Sequence, residues 1–330
     1  MNNIVQIGCG YWGPNLLRNL LSNDDCDVSY VIEPNVERQN FIKRTFNNLP
    51  CHSDINYLMQ DNLVDAVVIA SPAHLHFEQA KQALLANKHV FVEKPMATST
   101  KEVEVLRDIA YEKKLTLMSG HTFLYNDAVR FIKKQIDSGE IGDVRYLYAQ
   151  RLNLGRIRSD VDALWNFAPH DISIIQYLLD DPTPLAIMSH GMDFIQNGIN
   201  DVSFLNIKYE STIANIHVSW LDPLKTRKIV VVGSKKMVVY DDVADYKIKV
   251  YDKGIDKFSN LGENMDFDHP HPSPFHYRSG DVWIPKIDYR EPLQTEVKHF
   301  IDCIHTGKEA LSGPNHSLKV IKILEEATNS

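Results

Sequence analysis

Several things are scarce in this sequence, and each scarcity excludes something. Cysteine is limited to Cys9, Cys26, Cys51 and Cys303, four scattered residues in 330 with no CxxC pair. That usage argues against a disulfide framework and for reduced thiols in a cytoplasmic protein. No run approaches the ~18 apolar residues of a membrane span. The N-terminus enters a strand directly, without a basic region and long apolar segment, so no signal peptide is expected. A basic excess is missing too: the formal net charge is −8. A nucleic-acid or anionic-membrane surface needs a basic footprint and is therefore not expected. A small anionic substrate held by a few local arginines remains compatible. Neither an internal repeat nor a low-complexity tract is visible.

What is present is an ordinary folded composition, 44% hydrophobic and 24% charged. The length suggests two domains at roughly 150 residues each. Ile4 to Ile7 reads as a strand, and Gly8-Cys9-Gly10-Tyr11-Trp12-Gly13 follows at once. Leu16, Leu17, Leu20 and Leu21 then recur at helical spacing. Glycines between a strand and a helix permit a tight turn and close backbone approach, and the helix start offers N–H groups to a pyrophosphate. The next strand, Val28 to Ile32, ends in Glu33, 20 residues after Gly13. An acid there meets the adenosine ribose hydroxyls and repels a 2′-phosphate, so NAD is expected over NADP. Arg38 is the one cation nearby.

The alternation continues. Asp65 to Ala70 is a strand, Ser71-Pro72 ends it, and a helix is expected from about His76 to Asn87. His74 and His76 have no third metal ligand near them, so no metal is expected there. Val90-Phe91-Val92-Glu93-Lys94-Pro95 is a buried strand ending in a charged pair, at the carboxyl end where open α/β sheets bind ligands. Thr98-Ser99-Thr100 caps a further helix with Glu102 and Glu104 in its first turn, and Leu115 to Met118 is a strand. Residues 1–119 therefore read as a doubly wound α/β domain with a parallel sheet.

From Gly120 the pattern changes. A helix near 127–137 precedes a strand from Val144 to Leu152, an arginine-bearing loop, and a helix beginning near Pro169. Six strands then crowd together between Leu185 and Tyr251 without intervening helices, which implies a large, mostly antiparallel sheet. Its open face is expected to pair with another subunit. A loop over 255–290 carries His269, His271 and His276 among prolines and reads as a flap, not a metal site. Helices near 293–305 and 316–328 close the chain. Residues 120–330 are assigned to an α+β domain for substrate binding and oligomerisation.

These residues resemble the Gfo/Idh/MocA oxidoreductases, over essentially the whole chain. The glycine turn, Glu33, Ser71-Pro72 with His76, Glu93-Lys94-Pro95 and the trailing sheet carry the resemblance, and the Glu-Lys-Pro strand end is its most specific element. The segments Gly120 to Asn126, Gln150 to Gly155 and Leu164 to Asp171 look like the nucleotide-sugar branch, which acts at C3 of sugars such as UDP-N-acetylglucosamine in surface-polysaccharide or deoxysugar pathways. The resemblance implies a Rossmann domain, bound NAD and a homo-oligomer, dimer or tetramer. It implies cofactor contacts from Gly8, Gly10, Tyr11, Trp12, Gly13, Glu33, Ser71, Pro72, His74, His76, Glu93 and Lys94. Substrate contacts are expected from Tyr125, Arg151, Asn153, Arg156, Arg158, Trp165, Asn166 and His170. Lys94 matches the family's catalytic lysine. The family's Asp-x-x-x-His pair reads Asn166 and His170 here, and an asparagine cannot accept a proton.

The chemistry of the two candidates divides their roles. Free lysine titrates near ~10.4, so as a base at neutral pH it would need a pKa lower by about 3, or ~4 kcal/mol. Histidine starts near ~6.5 and needs almost none. His170 is therefore expected to take the hydroxyl proton while cationic Lys94 stabilises the alkoxide. Pro169 in a helix's first turn would place the helix dipole at His170 and keep it neutral. One or two of the arginines would hold a diphosphate. Alternatives are a dehydrogenase of free polyols or aldoses, an NAD-assisted glycosidase, and a non-catalytic dinucleotide sensor.

Overall fold

A computed structural model describes residues 1–257 and 275–329. In chain order the elements begin with β1 (Asn2–Ile7), α1 (Gly13–Leu21), β2 (Cys26–Ile32), α2 (Val36–Thr45), β3 (Cys51–His52), α3 (Asn56–Gln60) and β4 (Ala66–Ile69). There follow α4 (Ala73–Leu85), β5 (His89–Glu93), α5 (Thr100–Lys113), β6 (Leu117–Gly120), a short 3₁₀ turn over Thr122–Tyr125 and α6 (Asp127–Asp137). Next come β7 (Val144–Leu154), α7 (Ala163–Leu178), β8 (Ala186–Met192), β9 (Val202–Lys208), β10 (Ile213–Ser219) and β11 (Leu221–Gly233). The chain ends with β12 (Met237–Asp241), β13 (Ile248–Lys257), β14 (Phe275–Trp283), α8 (Pro292–Thr306) and α9 (Pro314–Thr328).

Two compact units result. The first comprises residues 1–127, 172–176 and 289–329, and the second 128–171 and 177–288. The contiguous division at 119/120 therefore needs correcting. The last two helices, correctly expected as helices, return to the unit that holds the parallel sheet.

The sheet of the first unit has the order β3-β2-β1-β4-β5-β6, with every pair parallel. Its central strands are buried on both faces: Ala66 to Ile69 and Val90 to Val92 are at most 1% exposed. Such strands need uninterrupted apolar sequence, which is what the chain supplies. Order reverses between β1 and β4, the position where doubly wound sheets open a ligand crevice beyond the strand ends. Helix α8 lies along this unit. Arg18 and Asn19 of α1 hold Glu291 at its start, and Phe300 meets Phe91 of β5 edge-to-face at 5.8 Å. Burying rings of this size contributes ~2–3 kcal/mol each. Helix α9 is tied to the start of α5, where Thr100 donates from its backbone N and its hydroxyl to Glu325 at 3.0 and 2.7 Å.

In the second unit an eight-stranded sheet runs β14-β13-β12-β11-β7-β10-β9-β8. Only β7 and β10 pair in parallel; all its other neighbours are antiparallel. Cross-strand register puts Ile207, Leu205, Ala214, Ile216, Leu147, Ala149, Ile229, Val231, Val238 and Val250 on one buried face. The other face keeps Met188, Met192, Phe204, Ile213 and Tyr146 exposed. The mostly antiparallel, open-faced sheet is as expected.

Two further expectations need correcting. The 255–290 stretch is not one loop, because β13 runs to Lys257 and β14 begins at Phe275. His269, His271 and the side chain of His276 lie outside the described residues. Helix α7 begins at Ala163 and not near Pro169, which sits inside it. The real start signal is Asp162, whose carboxylate accepts from the backbone N of Trp165 at 2.8 Å. No described helix is long and apolar enough to cross a membrane.

Candidate active site

The glycine turn is built by sterics. Gly8 has φ +85°, and a Cβ there would lie 2.9 Å from the backbone of Ala70 and Ser71. A Cβ on Gly13 would come within 2.8 Å of the Gly8 carbonyl. Gly10 differs: a Cβ there would meet nothing within 4 Å, so its outer side is open for close approach. Helix α1 has Trp12 as its N-cap residue, without a side-chain cap bond, and Pro14 in its first turn. Tyr11 is 93% exposed beside it.

Glu33 and Arg38 hold this turn from opposite signs of charge. The buried Glu33 carboxylate accepts from the backbone N of Cys9 at 2.8 Å and of Asn35 at 3.0 Å. Arg38, on α2, donates to the carbonyls of Cys9 at 2.6 Å and Gly10 at 2.7 Å. A tight strand-to-helix turn with an open glycine, an uncapped helix start and a carboxylate at the end of β2 fits a dinucleotide whose ribose carries free hydroxyls.

The end of β5 is joined to the same turn. The Lys94 backbone N donates to Glu93 Oε2 at 3.1 Å, and the nearby Trp12 side chain adds the weakest of the influences that favour the charged Glu93 carboxyl. Burial pushes the Glu93 carboxyl up to about 7, against the pull of the Lys94 charge and its backbone N–H. Glu93 pairs with Gly120 in register, and any Cβ at Gly120 would strike its carboxyl at 2.9 Å.

Ser71 donates to Gln79 at 2.6 Å, Pro72 precedes α4 as its N-cap residue, and His74 is exposed. His76 does not reach outward. It is buried, with Nδ1 2.7 Å from the Pro95 carbonyl and Nε2 2.9 Å from the Ser71 carbonyl. Burial lowers its pKa against the pull of those two oxygens. Its ring braces two loops, so the expected cofactor contact from His76 is corrected to a supporting role. Helix α4 accordingly begins at Ala73, one turn's length before the expected start.

Tyr125 is corrected as well. It is fully buried, with its hydroxyl 3.0 Å from Ser312 Oγ, and presents no surface to a substrate.

In the second unit, Arg151 is spent internally. Its fork meets the Asp171 carboxylate at 2.8 and 2.9 Å with both side chains buried, so it is not the expected substrate arginine. Arg158 pairs with Asp160 at 2.9 and 2.5 Å on the surface. Arg156 is exposed and makes no ion pair among the described residues. Asn153 is half-buried at the end of β7. Asn166 and His170 lie one turn apart on α7, both half-buried, with Trp165 beside them. His170 stands in mid-helix, which removes the dipole argument for its neutrality. Among the described residues no group of three or more His, Cys, Asp or Glu could hold a metal ion.

Sequence reasoning missed Glu296 of α8. Its Oε2 accepts from Thr122 Oγ1 at 2.7 Å, and the residue is fully buried. A signal existed: Leu293, Glu296, Val297, Phe300 and Ile301 form one helical stripe, so a carboxylate interrupts the buried face.

A parallel sheet of this order, with a glycine turn after β1 and a carboxylate at the end of β2, is the architecture of a dinucleotide-binding unit. Residues 2–121 match the family model described as "Oxidoreductase family, NAD-binding Rossmann fold", and 129–239 match the "GFO/IDH/MocA C-terminal domain". The chain belongs to the GFO/IDH/MocA oxidoreductase family, and its cofactor is NAD.

UDP-N-acetylglucosamine 3-dehydrogenase of Acidithiobacillus ferrooxidans is 29% identical over 157 residues, 47% of this chain and 49% of the relative. Its structure superposes with a TM-score of 0.80 at 20% identity, covering 98% of this chain and 96% of that one. The scyllo-inositol 2-dehydrogenase (NADP(+)) of Bacillus subtilis is 28% identical over 142 residues, 43% of this chain and 38% of the relative. GenD2 from gentamicin A biosynthesis, solved in complex with NAD, superposes with a TM-score of 0.81 at 19% identity, covering 100% of this chain and 93% of that one. The first curated relatives are matched over 52%, 58% and 59% of their own length.

Proposed function

We propose that this protein moves a hydride between nicotinamide and a secondary hydroxyl, probed best at C3 of a nucleotide-linked sugar such as UDP-N-acetylglucosamine, in polysaccharide or deoxysugar biosynthesis. What supports the reading is the position of β5, whose end carries Glu93 and Lys94, next to β4 and β1 in the parallel sheet from which the glycine turn leads. When bound, NAD supplies the hydride acceptor. Lys94 offers its ammonium to the developing alkoxide, and His170 takes the hydroxyl proton on an imidazole nitrogen. Asn166 orients the hydroxyl through its amide and takes no proton. Gly10, Trp12 and Glu33 bind and orient the dinucleotide.

The test is turnover on a panel of UDP-sugars, dTDP-sugars and free polyols, followed by reduced-nicotinamide fluorescence. Lys94→Ala and His170→Ala abolish turnover while NAD still binds. Activity that survives both changes overturns the reading.

A second reading, oxidation of a free polyol, draws support from the arginines. Arg151 is locked on Asp171 and the exposed Arg158 is paired with Asp160, so Arg156 is the loop arginine that makes no ion pair among the described residues. Turnover confined to the polyols of the panel selects it. For the open face of the eight-stranded sheet the proposed partner is a second copy of the chain. Phe204→Glu is then expected to lower the mass in solution measured by light scattering, and an unchanged mass rejects that partner.

A further inference from the structure

We infer that Glu93 and Glu296 form a buried carboxyl pair in which Glu296 carries the proton and Glu93 the charge, and that the pair positions Lys94. Only the catalytic consequence rests on the role proposed for Lys94; the pair itself does not.

The geometry comes from two facing elements. Phe91 of β5 and Phe300 of α8 meet at 5.8 Å with an interplanar angle of 71°. Glu93 is the next residue on the same side of β5, ~6–7 Å along the strand. Glu296 is one helical turn before Phe300, ~6 Å along the helix. Thr122 fixes the direction of that step. It lies just past Gly120, over which the Glu93 carboxyl sits, and it bonds Glu296 Oε2 at 2.7 Å. The two carboxyls are therefore the facing pair that follows the two rings.

Each carboxyl keeps one buried oxygen, Glu93 Oε1 and Glu296 Oε1, with no hydrogen-bond partner among the described residues. Two ionised carboxylates cannot share such a setting at tolerable cost. The distribution of donors decides which one is charged. Glu93 has the Lys94 backbone N–H and the charge of Lys94; Glu296 has one threonine hydroxyl. Burial and the charge of Glu93 push Glu296 well above the usual carboxylate range. The neighbouring His121 is held well below its usual range by burial, His316 and Lys94, so it brings no positive charge. His316 itself is 2.8 Å from Ser173 Oγ. By staying neutral, Glu296 lets Glu93 remain an anion next to the lysine.

Infrared titration of the full chain tests this without any substrate. At about pH 8, above the usual carboxylate range, the protein should show a protonated-carboxyl band that Glu296→Gln removes and Glu93→Gln leaves. Should Glu296→Gln fail to fold, Thr122→Val takes its place and shifts the same band by removing the donor to Oε2. A missing band, a band removed by Glu93→Gln alone, or one indifferent to both Glu296→Gln and Thr122→Val overturns the inference. A protein that shows the band but oxidises no sugar sinks the proposed function and leaves the pair standing.

Discussion

Arg151 and Asp171 face each other through two parallel hydrogen bonds of 2.8 and 2.9 Å, with side chains 7% and 2% exposed. Removing one partner strands the other as an unpaired buried charge, which costs ~3–5 kcal/mol. Asp171→Asn and Arg151→Met should each lower stability by about that much in denaturant melts. Replacing both with apolar residues of similar volume should recover much of the loss. A substrate arginine would instead raise KM with the melt unchanged, and that outcome would restore the original expectation for Arg151.

Tyr125 offers a smaller and cleaner check. Tyr125→Phe deletes the hydroxyl that meets Ser312 Oγ at 3.0 Å and retains the buried ring. The expected loss is about 1 kcal/mol of stability, with no change in KM. A KM effect in a normally stable variant would show that the hydroxyl reaches substrate.

Glu33 gathers two backbone donors on one carboxylate, and such charged hydrogen bonds contribute ~1.5–3 kcal/mol each. Glu33→Ala should loosen the turn and weaken NAD binding at least ~10-fold, ~1.4 kcal/mol, by calorimetric titration. With the carboxylate gone and Arg38 still beside Gly10, discrimination against NADP should fall.

The raised pKa of Glu93 fixes the sign of a pH effect. Between the unfolded value of about 4.3 and the folded value of about 7, the folded state keeps a proton the unfolded state has lost. The contribution of Glu93 therefore becomes less favourable as pH rises through that window and levels off above it, by on the order of 3 kcal/mol. Buried His121, pushed the other way, costs stability as pH falls below the ordinary histidine range. Subtracting wild type from Glu93→Gln cancels the histidine. The variant's relative stability should climb from about pH 4.3 to about pH 7 in urea melts, and a flat difference would contradict the shift.

Which features could be read from the chain follows from how local their causes are. The glycine turn, Glu33 and the apolar run before Glu93 are set by residues adjacent in sequence, and all sit where the sequence puts them. For helix α7 the local signal misleads: Pro169 suits a first turn, whereas the decisive cap is a side chain, Asp162, in the preceding loop. Arg151 and Asp171 are 20 residues apart, and no local pattern announces that they meet. Amphipathic spacing revealed α8 and α9 as helices but says nothing about which sheet they cover. Strand β14 was hidden because its pairing with β13 spans a stretch whose histidines and prolines read as loop.

Residues 289–329 complete the unit that starts at Met1. A ribosome therefore releases the glycine turn well before Phe300, the ring that seals Phe91. Residues 128–288 emerge earlier, so vectorial synthesis lets the second unit close while the nucleotide-holding unit still waits for its flank. Removing residues 289–329 would injure the unit that carries the glycine turn, not the one made just before them.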